Sequence, residues 1–174
     1  MPKHRGFSII ELLIVVAIIL IIAAIAIPNL LRAHIAANES SAVQSIRAIN
    51  TASITYHSTY TNVGFPATLV ELGPGAGNTT CGTPSSTAAC LIDAVLANAG
   101  AVANSKSGYY FTYTPAAAVG GTVNDYTVSG DPALLNQTGV RGFCSNSDGV
   151  IRWKNPGPTG VTTTAGCAAL TTLQ

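Results

Sequence analysis

Few residues in this chain have the type and spacing that chemistry requires. The three histidines, His4, His34 and His57, share no i,i+4 spacing, so solvated or edge-packed rings are expected rather than a helical metal pair. The four cysteines form no C-x-x-C, which gives a thiol redox pair or a zinc knuckle little support. Asp125, Asp131 and Asp148 could lend oxygens to a calcium ion, but Asp148 lies in Asn146-Ser147-Asp148-Gly149, a turn signature that explains it without a ligand. No G-x-S-x-G, H-E-x-x-H, P-loop or dinucleotide fingerprint occurs. The two histidines beyond residue 6 both fall in a helical stretch, which disfavours a Ser-His-Asp triad. The residues point away from an enzyme, and no cofactor or metal is expected. One group has no explanation of this kind, and it is Glu11.

Glu11 stands at the head of an apolar run. The twenty residues from Leu12 to Leu31 carry no charge, and Arg32 ends the run. As a helix they would span about 30 Å, the thickness of a bilayer hydrocarbon core. A carboxylate entering hydrocarbon costs a few kcal/mol at mid-helix and less near an end, and it usually has a partner. Lys3 and Arg5 precede the run, which predicts a cytoplasmic amino terminus and an exported remainder. A plain signal anchor accounts for the length and the charge bias. A secretory signal peptide cut after Ala24-Ile25-Ala26 accounts for them equally. Neither gives Glu11 a role.

Composition points to a membrane segment. Only 9% of the 174 residues are charged and 48% are hydrophobic, against about 25% charged in an ordinary soluble domain. Mean hydropathy is +0.40. Disorder by composition is excluded. A net charge of +1 offers no basic surface, so no nucleic acid is expected as a partner.

The stretch Lys3-His4-Arg5-Gly6-Phe7-Ser8-Ile9-Ile10-Glu11-Leu12 resembles the leader and cleavage motif of the type IV pilin and type II secretion pseudopilin family. The resemblance covers roughly residues 1–40. It implies that a prepilin peptidase cuts between Gly6 and Phe7 and that the new Phe7 amine is methylated. The mature chain would then have 168 residues, 174 less 6. Glu11 becomes the fifth mature residue, where the family carries a glutamate, and Pro28 matches a helix-kinking proline that many members share. Phe7, Glu11 and Pro28 are thus the expected assembly residues. Cleavage frees an α-amine with a pKa near 8, and methylation keeps it protonated. That cation can belong to the same chain, one turn away, or to a neighbouring subunit. Family precedent favours the neighbour, whose pairing with Glu11 would set the axial register of an incoming subunit.

Beyond the run the helix is expected to continue, kinked or loosened at Pro28. Ala42, Ile46, Ile49, Ser53, Tyr56 and Tyr60 recur at spacings of four and three and define one face, widened by Val43 and Ile54. Arg32, Glu39, Gln44, Arg47 and Asn50 are expected largely off it. Gly64 and Pro66 predict an end near Thr61. A helix from about residue 8 to 61 would be roughly 80 Å long, more than a compact domain of this size needs. Its first half must therefore protrude. About twenty large apolar side chains at roughly 1.5–3 kcal/mol each represent tens of kcal/mol, so that half requires a bilayer or copies of itself.

After residue 62, two short helices are expected, within Phe65–Gly73 and from Leu91 to Ala99, followed by four antiparallel strands. The strands fall at Tyr109–Thr114, Asp125–Ser129, Arg141–Ser145 and Val150–Lys154, with Phe143, Ile151 and Trp153 turned to the helix. The resemblance implies the same layout, an α+β pilin fold with a long helix packed on a small antiparallel sheet. An exported chain with four cysteines is expected to form disulfides, and three connectivities are possible. The pairing adopted is Cys81–Cys90 with Cys144–Cys167. The second closes a carboxy-terminal loop, as in many pilins similar to this chain. The acidic, Gly-rich calcium loop of the major pseudopilins has no counterpart.

The expected organisation is a leader at 1–6, a transmembrane and assembly half-helix at 7–31, an amphipathic half-helix at 32–61 and a globular head at 62–174. The expected function is a structural subunit of a type IV pilus serving adhesion or motility. Its partners would be further copies of itself, the inner membrane, the prepilin peptidase and the assembly machinery. The precursor would reside in the bacterial inner membrane and the product in a cell-surface filament. The alternatives are a type II secretion pseudopilin in a short periplasmic filament, or a secreted or anchored binding module that forms no filament.

Overall fold

A computed structural model describes residues 8–173. Its contacts fall into two compact units that divide between His34 and Ile35. The helix α1, Ile9–Thr59, enters both.

In the first unit, Ser8 precedes the helix and donates its backbone N–H to Glu11 Oε2 at 3.0 Å. Ser8 and Glu11 have the S-x-x-E spacing of a capping box, in which the third helical residue satisfies the amide at the cap. Leucine, isoleucine and alanine follow in a run that favours helix, and no glycine interrupts them. Pro28 lies inside α1 and removes the hydrogen bond that the Ala24 carbonyl would accept, yet the helix runs through it unbroken.

The second unit is the head. Residues 35–59 of α1 bury Ala42, Val43, Ile46, Ile49, Ser53 and Tyr56, the face that the spacing predicted. Tyr60 is half-buried, and its N–H donates the last turn's bond to the Tyr56 carbonyl at 2.8 Å, so the helix closes at Thr59 rather than Thr61. Ile54 does not widen the face; it is 54% exposed. Glu39 and Asn50 depart from expectation in the other direction, since both are buried. Each is buried because it is fully engaged there, Glu39 by Arg141 and Asn50 by Ser145 and Tyr126. On the outer side, Thr51, Thr55 and Thr59 donate their hydroxyls to the carbonyls of Arg47, Thr51 and Thr55 at 3.0, 2.9 and 2.9 Å.

The connection after α1 holds a 3-10 turn at Leu69–Leu72 and a short helix α2 at Ala94–Ala97. Asp93 caps α2 by accepting the Leu96 N–H at 2.8 Å. A second 3-10 turn, Val102–Asn104, leads into the sheet.

The sheet is antiparallel and runs in sequence order: β1 Tyr109–Pro115, β2 Tyr126–Pro132, β3 Gly142–Asn146, β4 Arg152–Lys154 and β5 Thr171–Thr172. Five strands stand where four were expected. The fifth pairs Thr172 with Arg152 and Thr171 with Trp153, and its two exposed threonines have no apolar alternation to reveal it. Between β3 and β4 the predicted turn forms, with the Gly149 N–H on the Asn146 carbonyl at 3.0 Å and Gly149 at φ +72°. A helix α3, Thr164–Ala168, precedes β5.

One row of the sheet explains how the helix fits. Register aligns Phe111 with Gly130, Gly130 with Phe143 and Phe143 with Trp153. A Cβ at Gly130 would stand 3.0 Å from the Phe111 ring and 3.2 Å from Ile46 Cδ1, so its absence makes room for both. Around this row Tyr56, Tyr109, Tyr126, Ile49 and Val128 complete a core from which water is excluded.

Candidate functional site

The expected processing residues, Gly6 and Phe7, lie outside the described residues. Glu11 lies within them, at an exposed helix start, with one carboxylate oxygen on the Ser8 amide. The Ser8–Glu11 spacing was present in the sequence and its capping role passed unread. It gives the carboxylate a task inside its own chain that precedes any intermolecular one.

From Leu12 to Leu31 the helix carries no charge, and its large apolar side chains are exposed all round, Leu13, Leu20, Ile21, Ile27 and Leu30 among them. Its most apolar 18-residue window is not buried at all, and the helix is long and apolar enough to cross a membrane. An amphipathic helix buries a stripe; a helix greasy around its circumference needs an apolar surrounding. Pro28 sits in this exposed region.

In the head, the candidate ligand groups are tied to local structure. Asp125 accepts the Thr164 hydroxyl at 2.6 Å and the Tyr126 N–H at 2.8 Å. Burial pushes its carboxyl up, but hydrogen bonds from Ser147 and Thr164 outweigh this and hold it below the usual range. Asp148 pairs with Arg152 at 2.7 Å, and that hydrogen bond, against a smaller opposing effect of burial, holds it low. Asp131 is buried and accepts the Thr159 N–H at 2.6 Å, with the Thr159 hydroxyl at 3.3 Å. For Asp131 burial prevails over those bonds and raises the carboxyl. Among the described residues, no three His, Cys, Asp or Glu gather as a metal set.

The histidines do not meet. His57 packs beside Phe65, ring centroids 4.6 Å apart, while His34 is exposed. Burial pushes the Tyr56 and Tyr126 phenols up to about 12, so they serve as donors, Tyr56 to the Ser86 carbonyl at 2.7 Å and Tyr126 to Asn50 Oδ1 at 3.0 Å. Cys81 is bonded to Cys90 and Cys144 to Cys167, with Cα atoms 5.8 and 5.9 Å apart.

The pair that sequence reasoning missed is Glu39 with Arg141. Glu39 takes the Val140 and Arg141 N–H groups on one oxygen and the Arg141 guanidinium on the other. The guanidinium carbon also lies 5.7 Å from the ring centroids of both Phe143 and Trp153. Burial raises the Glu39 carboxyl, but the hydrogen bonds and charge from Arg141, with the Val140 N–H, together hold it below its ordinary value. No spacing rule joins residues so far apart in sequence.

The arrangement offers an uncovered apolar helix with a carboxylate at its start, followed by a cross-linked α+β head. Residues 1–27 match the family model described as the prokaryotic N-terminal methylation motif. Over 77 residues the chain is 40% identical to the type IV major pilin protein PilA of Myxococcus xanthus (strain DK1622), a stretch covering 44% of this chain and 35% of that protein. The match thus spans about a third of the relative's length. No solved structure matches the chain. The motif and the relative both support the type IV pilin family.

Proposed function

We propose that this chain is a structural subunit of a type IV pilus. In this reading residues 1–6 are a leader, 7–31 the membrane and assembly segment, 32–61 the amphipathic continuation and 62–174 the head. The precursor sits in the inner membrane with its amino terminus in the cytoplasm. A prepilin peptidase hydrolyses the Gly6–Phe7 peptide bond, and the freed Phe7 amine is methylated. Assembly machinery then moves the helix from lipid into a bundle of identical helices, and a filament grows on the cell surface, where it serves adhesion or motility.

The observation that supports this most is the union of the methylation motif with an apolar helix surface left uncovered from Ile9 to Leu31. Tens of kcal/mol of exposed apolar surface cannot persist in water. Exchange of lipid for neighbouring copies keeps it in an apolar setting throughout, which makes extraction feasible. The protonated Phe7 amine supplies the cation that Glu11 calls for, and Ser8 holds one oxygen of that carboxylate in place.

Intact mass and amino-terminal sequencing of the chain from its native cell test the proposal. A terminus at Phe7 carrying one methyl group is expected. A terminus at Ile27 would mean ordinary signal peptidase and the loss of the filament argument, and an uncut chain would mean a simple anchor. Surface fibres composed of this chain separate the pilus from a periplasmic pseudopilus.

A further inference from the structure

The two disulfides of the head stand in opposite surroundings. Cys144 and Cys167 are fully buried, whereas Cys81 is exposed and Cys90 half-buried. Thiol–disulfide exchange requires an incoming thiolate to reach one of the two sulfurs, so access decides which bond can react. The cysteines at 81 and 90 lack the spacing of a C-x-x-C pair. What sets their bond apart is its reach from solvent.

Its two ends are held differently. Cys90 lies in a run of four paired amides. The Ala89 N–H donates to the Glu71 carbonyl at 2.8 Å and the Cys90 N–H to that of Gly73 at 3.0 Å, while Leu91 and Ile92 donate to Leu72 at 2.7 and 3.1 Å. Leu72, Ala89 and Ile92 belong to the core. Just before them, Ser85 and Ala88 exchange two backbone bonds at 3.1 Å, and the Ser86 carbonyl accepts the Tyr56 hydroxyl at 2.7 Å. Cys81 has no such support. Every residue from Ala76 to Ser85 is exposed. Among the described residues, no backbone hydrogen bond joins residues 79–84 to the rest of the head. The disulfide is therefore the tether of this segment. No charged residue lies between Glu71 and Asp93, so the segment itself presents no carboxylate to repel a thiolate.

We infer that Cys81–Cys90 is a thiol-exchange site, entered at Cys81 by a small external thiol, while Cys144–Cys167 stays closed. The thiolate of a dithiol attacks Cys81 Sγ. A new S–S bond forms there, the bond to Cys90 breaks, and Cys90 leaves as the thiolate. The dithiol's second thiol then loses its proton and attacks its partner sulfur in the mixed disulfide. It departs as a cyclic disulfide, two electrons poorer, and Cys81 and Cys90 are both reduced. Residues 76–84 come free of the head, whereas residues 85–92 keep their backbone bonds. The inference concerns the head alone and stands whether or not the chain forms a filament.

The test treats the full chain in detergent with dithiothreitol, traps free thiols with iodoacetamide and reads each cysteine by peptide mass. Alkylation at Cys81 and Cys90 is expected to run roughly tenfold or more ahead of that at Cys144 and Cys167. Low urea should leave the first rate unchanged and accelerate the second, which must await opening of the head. With the monothiol glutathione, trapped early, the adduct is expected on Cys81 and the alkyl group on Cys90. Proteinase K should nick residues 76–84 severalfold faster in the reduced chain than in the oxidised one. Equal rates at the two bonds, or a Cys81–Cys90 rate that rises with urea as the other does, overturn the site. A glutathione adduct on Cys90 overturns entry at Cys81, and unchanged proteolysis overturns release of the segment.

Discussion

Glu39 and Arg141 lie 102 residues apart in the chain and meet through both oxygens of the carboxylate, Nε at 2.8 Å and Nη2 at 2.7 Å on Oε2 and the Arg141 N–H at 3.0 Å on Oε1. The pair ties the head's helix to the entry of β3. Glu39→Ala removes four acceptor contacts and strands two backbone amides. The expected loss is about 2–3 kcal/mol, below the roughly 3–5 kcal/mol for breaking a fully buried pair because Arg141 keeps some solvent. Thermal unfolding of the full chain in detergent measures it, and an unchanged midpoint would remove the pair from any account of the head's stability.

The same pair predicts a pH dependence. Glu39 titrates lower in the folded state than an ordinary glutamate, so its contribution is fully present above the unfolded pKa. It is lost as pH falls through the folded one. Asp131 has the opposite sign: its carboxyl is raised from 3.8, so its ionisation costs stability as pH rises through the raised value. Asp131→Asn keeps an acceptor for the Thr159 amide and abolishes that cost. Urea midpoints between about pH 3 and 7 should show the acid-side loss in both proteins, with the variant at least as stable as the parent at pH 7. A variant clearly weaker at neutral pH would show that Thr159 needs the charge.

Cross-links should differ in effect by loop length. The Cys144–Cys167 bond closes 23 residues and Cys81–Cys90 closes nine. Chain entropy alone assigns about 3.4 and 2.6 kcal/mol respectively. Cys144 and Cys167 are also fully buried, so the Cys144→Ala/Cys167→Ala double variant should melt lower than the Cys81→Ala/Cys90→Ala one. The reverse order would mean that the carboxy-terminal segment keeps its place without its staple.

At Glu11 two substitutions separate capping from charge. Glu11→Gln leaves a neutral acceptor for the Ser8 amide, whereas Glu11→Ala leaves none. If the amine of a processed subunit needs the anion, both variants should fail to yield fibres when cells are sheared. Normal fibres from Glu11→Gln would reduce the residue's role to the helix start.

Gly130→Ala places a methyl group between Phe111 and Ile46, at 3.0 and 3.2 Å. Overpacking of this order costs about 1–3 kcal/mol. A melting point equal to that of the parent would mean that the rings slide aside freely.

The legible parts of this fold are those with local signals. The helical face, the Asn146–Gly149 turn and the positions of four strands follow from periodicity and turn chemistry, which act over a few residues. Burial of Glu39 and Asn50 did not, because their partners lie 76 to 102 residues away and a polar residue discloses its buried partner only in three dimensions. Thr171 and Thr172 gave no alternation, and Ile54 shows that an apolar residue adjoining a stripe need not face the core. At the amino terminus, the apolar run and Glu11 were plain, whereas the capping use of Ser8 required the two residues to be considered as a pair.

The threonines on the outer side of α1 make that surface quieter than its composition implies. Thr51, Thr55 and Thr59 have each committed their hydroxyl hydrogen to the helix's own carbonyls. These exposed side chains keep no donor wanting a partner. A face that spells polar in one-letter code can therefore be dried against another surface without stranding a hydrogen, and hydropathy scales will misjudge it in the direction of too much affinity for water.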